Sequence, residues 1–164
     1  MATISFQGNP LHTSGELPAI GSQAPDFVLV DTQLEEVTLA AYAGKRKLLN
    51  IVPSLDTPTC AASTRKFNQK AAHLANTVVL VISADLPFAQ CRFCETEDLT
   101  DIIPLSSFRS SFADDYGVKL ADTLLAGLTA RAVVIIDEHD QVIYTELVNE
   151  LANEPDYESA LAAL

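Results

Sequence analysis

The chain reads as an α/β fold, a central mixed sheet flanked by helices, in a single domain over residues 1–164 with a β-hairpin added at the N-terminus. Three observations predict it. Short continuous apolar runs such as Leu48–Val52 and Asn76–Ala84 have the length and composition of strands buried on both faces. The helical pattern between them makes a βαβ unit, whose crossover is right-handed and whose strands are parallel. Near the end, Ala132–Asp137 and Gln141–Leu147 flank the turn Asp137-Glu138-His139-Asp140 and read as an antiparallel hairpin.

Taken in order, Thr3–Phe6 and Leu11–Thr13 make the first hairpin, turning at Gly8-Asn9-Pro10. Phe27–Val30 and Glu36–Leu39 are short strands, and Ala40–Gly44 is one helical turn closed by glycine. After the strand Leu48–Val52 comes Pro53-Ser54-Leu55-Asp56-Thr57-Pro58-Thr59-Cys60, then a helix to Leu74. Thr57 is a good N-cap, and Pro58 suits the first helical position, where a missing N–H costs nothing. Pro87 opens a second helix carrying Cys91-Arg92-Phe93-Cys94. It runs into the acidic, poorly anchored Glu95–Asp98, a combination unfavourable at a helix C-terminus, so this helix is expected to unwind easily. Ile102–Leu105 is a strand, Phe108–Tyr116 a helix ended by Gly117, and Pro155 begins a last helix to Leu164.

Bulk properties exclude several function classes. At 48% apolar and 20% charged the composition is that of a globular domain, and a formal charge of −12 argues against nucleic acid or anionic membranes as partners. No run approaches the roughly 18 apolar residues of a membrane span, and Met1–Pro10 lacks the features of a signal peptide. Three cysteines do not make a secreted disulfide framework; they suit redox chemistry in a reducing compartment, here the cytoplasm. His12, His73 and His139 are scattered without ligand spacing, so neither a metal nor another cofactor is expected.

Cys60 falls at the third position of its helix, where a thiolate meets free backbone amides and the positive end of the helix dipole. That terminus contributes only about 0.3–1 kcal/mol to holding an anion. A cation beside the sulfur is therefore needed. Arg65 lies a turn further along and is solvated; Arg131, opening the strand Ala132–Ile136, is the better candidate. A cysteine on an apolar helical phase is more often an inert core residue, and the Thr-Pro start signal is what moves Cys60 away from that reading.

The pattern Pro-x-x-x-Thr-x-x-Cys resembles the peroxiredoxin active-site motif. The flanking Ser54–Pro58 and Ser83–Gln90 are similar to the bacterial thiol peroxidase branch, the atypical two-cysteine peroxiredoxins, as are Arg92-Phe93-Cys94, Ala130–Val134 and Glu154–Glu158. The likeness implies a thioredoxin-like fold and a peroxidase acting on hydrogen peroxide and organic hydroperoxides. It implies that Cys60 is the peroxidatic cysteine, oxidised to a sulfenic acid. Thr57 then holds the peroxide, Arg131 stabilises the thiolate and the polarised O–O bond, and Pro53 shields the site. Cys94 becomes the resolving cysteine of an intramolecular disulfide that thioredoxin reduces, in a homodimer with its contact near the site. Cys91 has no counterpart in the family pattern.

Cys91 and Cys94 as a C-x-x-C also support a competing reading, a disulfide oxidoreductase or redox-sensing module in which Cys60 is structural; a non-catalytic scaffold is a third. Phe88, Phe93, Phe108 and Phe112 are candidates for an apolar mouth, although aromatic residues at helical spacing are more often core.

Overall fold

A computed structural model describes residues 1–164. The hairpin forms from β1 (Thr3–Phe6) and β2 (Asn9–His12) as a separate two-stranded sheet. Its turn lies on Gln7 and Gly8, both with left-handed φ (52° and 81°), one residue or two earlier than Gly8-Asn9-Pro10. That is the backbone a tight two-residue hairpin turn requires. Pro10 consequently belongs to β2, opposite Ser5, tolerated because a two-stranded ribbon has only edges.

The main sheet has seven strands in the order β4-β3-β7-β6-β5-β8-β9. They are β3 (Val28–Val30), β4 (Glu36–Thr38), β5 (Arg46–Ile51), β6 (Thr77–Ser83), β7 (Ile103–Ser106), β8 (Ala132–Ile136) and β9 (Val142–Leu147). The central β5, β6 and β7 run parallel, joined by α1 (Pro58–Ala71) and α2 (Pro87–Thr96); the outer strands pair antiparallel. A short 3-10 turn (Leu39–Tyr42), α3 (Phe112–Asp115) and α4 (Tyr157–Ala162) complete the chain. No helix is long and apolar enough to cross a membrane.

Alternation along the central strands divides the core in two. Leu49, Ile51, Leu80, Ile82, Val134 and Ile136 face a layer with Phe27, Phe112 and Tyr116. Leu48, Val79, Val81, Val133 and Ile135 face the other way, with Phe67 of α1, Ala160 of α4 and Cys60. The thiol therefore belongs to the second layer, and Cys94 packs against the same cluster from its partly buried position.

Two helices differ from the sequence expectation. The helix drawn over Phe108–Tyr116 shrinks to Phe112–Asp115. Serine side chains account for this: Ser106 Oγ accepts from Phe108 N (3.3 Å) and Ser110 Oγ from Phe112 N (3.1 Å), offering the backbone a turn instead. Gly117 does close it, at φ 68°, and a Cβ there would lie 2.1 Å from the Glu16 carbonyl oxygen, so the close crossing of the two segments requires glycine. The last helix begins at Tyr157 rather than Pro155, because Asp156 caps it by accepting from Ser159 N (3.0 Å).

At the end of β5 away from α1, the fully buried Lys47 donates from Nζ to Asp140 and to the Asp137 carbonyl (3.2 Å), fastening the β8–β9 turn. Asp140→Ala strands a buried ammonium. The expected loss is about 1–3 kcal/mol, less than for a fully buried pair because Asp140 keeps 32% of its side-chain surface exposed. Guanidinium unfolding checks this, and Lys47→Met added to Asp140→Ala is expected to recover most of the loss.

Candidate active site

The loop between β5 and α1 presents the thiol. Thr57 caps α1: its Oγ1 accepts from the Cys60 amide (3.4 Å) and donates to the Ser54 carbonyl (3.1 Å), while Pro58 takes the first helical position. Cys60 is fully buried. Its carbonyl accepts from Ser63 Oγ (3.0 Å) and Thr64 Oγ1 (2.8 Å), so side chains as well as the helical ladder hold this turn. Beneath it the buried Asn50 of β5 donates to Ser63 Oγ (3.5 Å) and leaves its own Oδ1 without a partner.

Arg131 stands at the start of β8 and is 2% exposed. Its Nη1 donates to Cys60 Sγ at 3.3 Å, while Nε and Nη2 donate to the Leu151 carbonyl at 3.1 and 3.0 Å. The planar fork of a guanidinium makes these bonds at once, which an ammonium cannot do. Arg65 lies on the surface, where it pairs with Glu97 (2.8 Å). The structure thus brings Pro53, Thr57, Cys60 and Arg131 together.

Several contributors do not stand out individually in the sequence, although Asp85 among them lies within the Ser83–Gln90 stretch that carries the resemblance. Asp85, just after β6, accepts from Ser54 Oγ (2.7 Å), Leu55 N (2.8 Å) and Ser83 Oγ (2.8 Å), pinning the loop that holds Pro53 and Thr57. The Leu151 carbonyl is placed by the N-terminal hairpin: Ser5 N donates to Asn149 O and Leu151 N to Ser5 O, each at 2.8 Å. Glu150 adds bonds from Ser5 Oγ (2.7 Å) and Gln7 N (3.1 Å), which hold its carboxyl below the usual range. Thr129 Oγ1 donates to the Val52 carbonyl (2.8 Å) and ties the two strand ends together.

Above this group lies a cleft of about 320 Å³ lined by Pro53, Thr57 and Arg131 on one side and by Phe6, Leu125, Leu128 and Leu151 on the other. The mouth is therefore apolar, with Phe6 as its aromatic member, and the four phenylalanines considered for it lie elsewhere. Phe112 belongs to the opposite core layer, Phe88 and Phe108 are exposed, and Phe93 packs beside Cys94 on the cluster that holds Cys60.

Cys91 and Cys94 are the fifth and eighth residues of α2, well past its N-terminus, and all three cysteines are free. The acidic tail of α2 has an anchor that the sequence did not reveal, since Glu97 pairs with Arg65 of α1. That bond lowers the Glu97 carboxyl. Burial pushes the Cys94 thiol up to about 11, with Cys91 adding to the shift.

The Redoxin family model matches residues 19–161. The thiol peroxidases of Corynebacterium glutamicum and Mycobacterium tuberculosis are each 52% identical over 164 residues, covering 100% of this chain and 99% of theirs. A peroxiredoxin-like protein from Aquifex aeolicus superposes with a TM-score of 0.93 at 38% identity, covering 99% of this chain and 96% of its own. A thiol peroxidase from Chromobacterium violaceum, at 24% identity, shares the fold with a TM-score of 0.92 over 99% of this chain and 95% of its own.

Two expectations follow from this geometry. Asp85→Ala removes three hydrogen bonds from the loop, and at about 1 kcal/mol each the loop is expected to loosen enough to lower peroxide turnover at least tenfold while the fold persists, measured by steady-state assay beside circular dichroism. Between about pH 8.5 and about pH 11, Cys94 keeps in the folded helix a proton that it loses once α2 opens. The stability it lends is complete below the ordinary thiol range, about 8.5, and is lost as pH climbs towards about 11. Exchange of α2 amides, corrected for intrinsic rate, should therefore accelerate across that window, and in Cys94→Ala most of the acceleration should disappear, the rest coming from Cys91, which its bond to Glu95 also raises.

Proposed function

The chain belongs to the redoxin family, among its peroxiredoxin-type thiol peroxidases, and from that premise we propose that Cys60 reduces hydrogen peroxide and organic hydroperoxides and is resolved by Cys94. The observation that carries the assignment is the buried Arg131 guanidinium 3.3 Å from Cys60 Sγ. A permanent cation with almost no solvent contact favours an anionic partner, and the sulfur beside it is the group able to become one.

The Cys60 thiolate attacks the distal peroxide oxygen. The O–O bond breaks, sulfur takes that oxygen as a sulfenic acid, and the remaining oxygen leaves as water or an alcohol once protonated. The Thr57 hydroxyl holds the peroxide beside the sulfur. Arg131 offsets charge first on the thiolate and then on the departing oxygen, and Pro53 keeps water away. The apolar wall of Phe6, Leu125 and Leu128 supports a substrate with an alkyl tail.

Cys94 then condenses with the sulfenic acid, losing water and forming an intramolecular disulfide. Its α-carbon must come within about 7 Å of that of Cys60, so α2 and the first turn of α1 unwind locally. Thioredoxin reduces the disulfide. The protein acts as one domain over residues 1–164, in a homodimer, in the cytoplasm.

A coupled assay following NADPH oxidation with thioredoxin, thioredoxin reductase and cumene hydroperoxide tests the reading. Cys60→Ser is expected to abolish turnover and Cys94→Ser to reduce it sharply; turnover surviving Cys60→Ser would falsify the assignment. Losing a charged hydrogen bond of about 2 kcal/mol, Arg131→Met is expected to fall about 30-fold in kcat/KM, and Arg131→Lys, which cannot bond Leu151 and Cys60 together, to recover little of it.

A further inference from the structure

Cys91 has no part in the reaction above, yet it stands on the same face of α2 as Cys94. Three residues apart on an α-helix, their β-carbons lie about 5–6 Å from each other. Both line one open cleft of about 440 Å³ beside β7, together with Glu95, Leu99 and Pro104. Cys94 faces two ways, since it also packs on the cluster that buries Cys60. Cys91 faces only the cleft, where its Sγ donates to the Glu95 carboxylate at 3.5 Å. That bond holds the thiol above its ordinary range while the helix is intact and leaves a proton acceptor beside it.

We propose that Cys91 is a third redox-active thiol, which takes over the disulfide from Cys60 and turns the Cys60–Cys94 bond into a Cys91–Cys94 bond at the surface. The inference rests on the reading that Cys60 and Cys94 form the first disulfide. In the exchange Cys91 loses its proton to Glu95 or to water, and its thiolate attacks Cys94 Sγ. The bond from Cys94 to Cys60 breaks, and Cys60 departs with the electron pair as a thiolate. One disulfide is consumed and one formed, so the single peroxide already reduced is the only oxidant.

Two features set the direction. The leaving sulfur is the one that Arg131 faces, and thiol–disulfide exchange favours the leaving group better stabilised as a thiolate. The second feature is strain. A Cys60–Cys94 bond holds segments of both α1 and α2 away from their packed positions, whereas a bond within α2 lets α1 fold back around Arg131. The α-carbons of a helical i, i+3 pair fall inside the disulfide range, but their β-carbons stand further apart than the roughly 3.5–4.5 Å a disulfide needs. Closure therefore requires α2 to be loosened, and the first disulfide has already loosened it. Cys60 is thereby returned to its site before any external reductant arrives, and the reductant meets an exposed bond.

Trypsin separates the three thiols, because cleavage after Lys47, Arg65, Lys70, Arg92 and Arg109 leaves Cys60, Cys91 and Cys94 in peptides 48–65, 71–92 and 93–109. The reduced protein is treated with one equivalent of cumene hydroperoxide, acid-quenched at intervals, alkylated, digested and mapped by mass spectrometry. The expected course is a 48–65/93–109 cross-link that appears first and gives way to 71–92/93–109. The second should end about tenfold in excess, equivalent to about 30 mV between the two disulfides. Cys91→Ser is expected to stop at the first cross-link. Persistence of that cross-link in the wild type, with Cys91 alkylated, overturns the inference and leaves the peroxidase reading standing. A Cys91–Cys94 bond that forms as fast in Cys60→Ser overturns the inference too, and speaks for oxidation of that pair without Cys60. A Cys60 that stays alkylatable throughout, with peroxide unconsumed, overturns the peroxidase reading itself.

Discussion

A guanidinium with almost no solvent contact is the constraint around which this molecule is arranged. Removing a permanent charge from water costs several kcal/mol unless bonded partners replace the lost hydration. Arg131 finds them in the Leu151 carbonyl and the Cys60 sulfur. Each partner has its own support. The carbonyl is in place because the N-terminal hairpin pairs with residues 149–151, and the sulfur because Thr57 and Pro58 start a helix at the end of β5. Hairpin, strand end and the helix that carries Cys60 thus meet at one side chain, so the N-terminal addition to the central sheet helps to hold the guanidinium beside the sulfur.

The strand–loop–helix carrying the site was legible in the sequence because its signals are local. An apolar run, a Thr cap, a Pro at the first turn and a cysteine at the third position are read within a dozen residues. Arg131 was legible too, since a charge opening a fully apolar strand is held at the strand end. What escaped was contributed across long separations or by groups without identity in a sequence. Leu151 acts through its carbonyl, Asp85 through hydrogen bonds to a loop thirty positions earlier, and Leu125 and Leu128 through a wall that only tertiary folding assembles. The phenylalanines failed as a guide to the mouth because bulk and spacing say that a residue is buried, not on which side of the sheet. The boundaries at Phe108 and Pro155 moved for a smaller reason, the capping chemistry of Ser110 and Asp156.

The two helices that carry the three cysteines are held partly by polar contacts. Under α1, Asn50 leaves a buried carbonyl oxygen unbonded, and the Cys60 turn leans on Ser63 and Thr64 hydroxyls. Under α2, Gln90 donates to Ser83 and to the Leu105 carbonyl while its own oxygen is unbonded. Buried polar groups without partners are costly in the folded state and recover hydration on opening. Local unfolding here is therefore less unfavourable than the depth of the core suggests.

The pair between Arg65 on α1 and Glu97 at the end of α2 joins these two helices across the surface. Its loss is counted once whether one helix opens or both do. After either helix has unwound, the other no longer has that contact to lose, so the joint opening is favoured over two independent ones by the full worth of the pair. A modest surface contact can in this way act as a coupler of two local unfolding equilibria. Salt, by screening it, should make the two openings more frequent individually and less concerted.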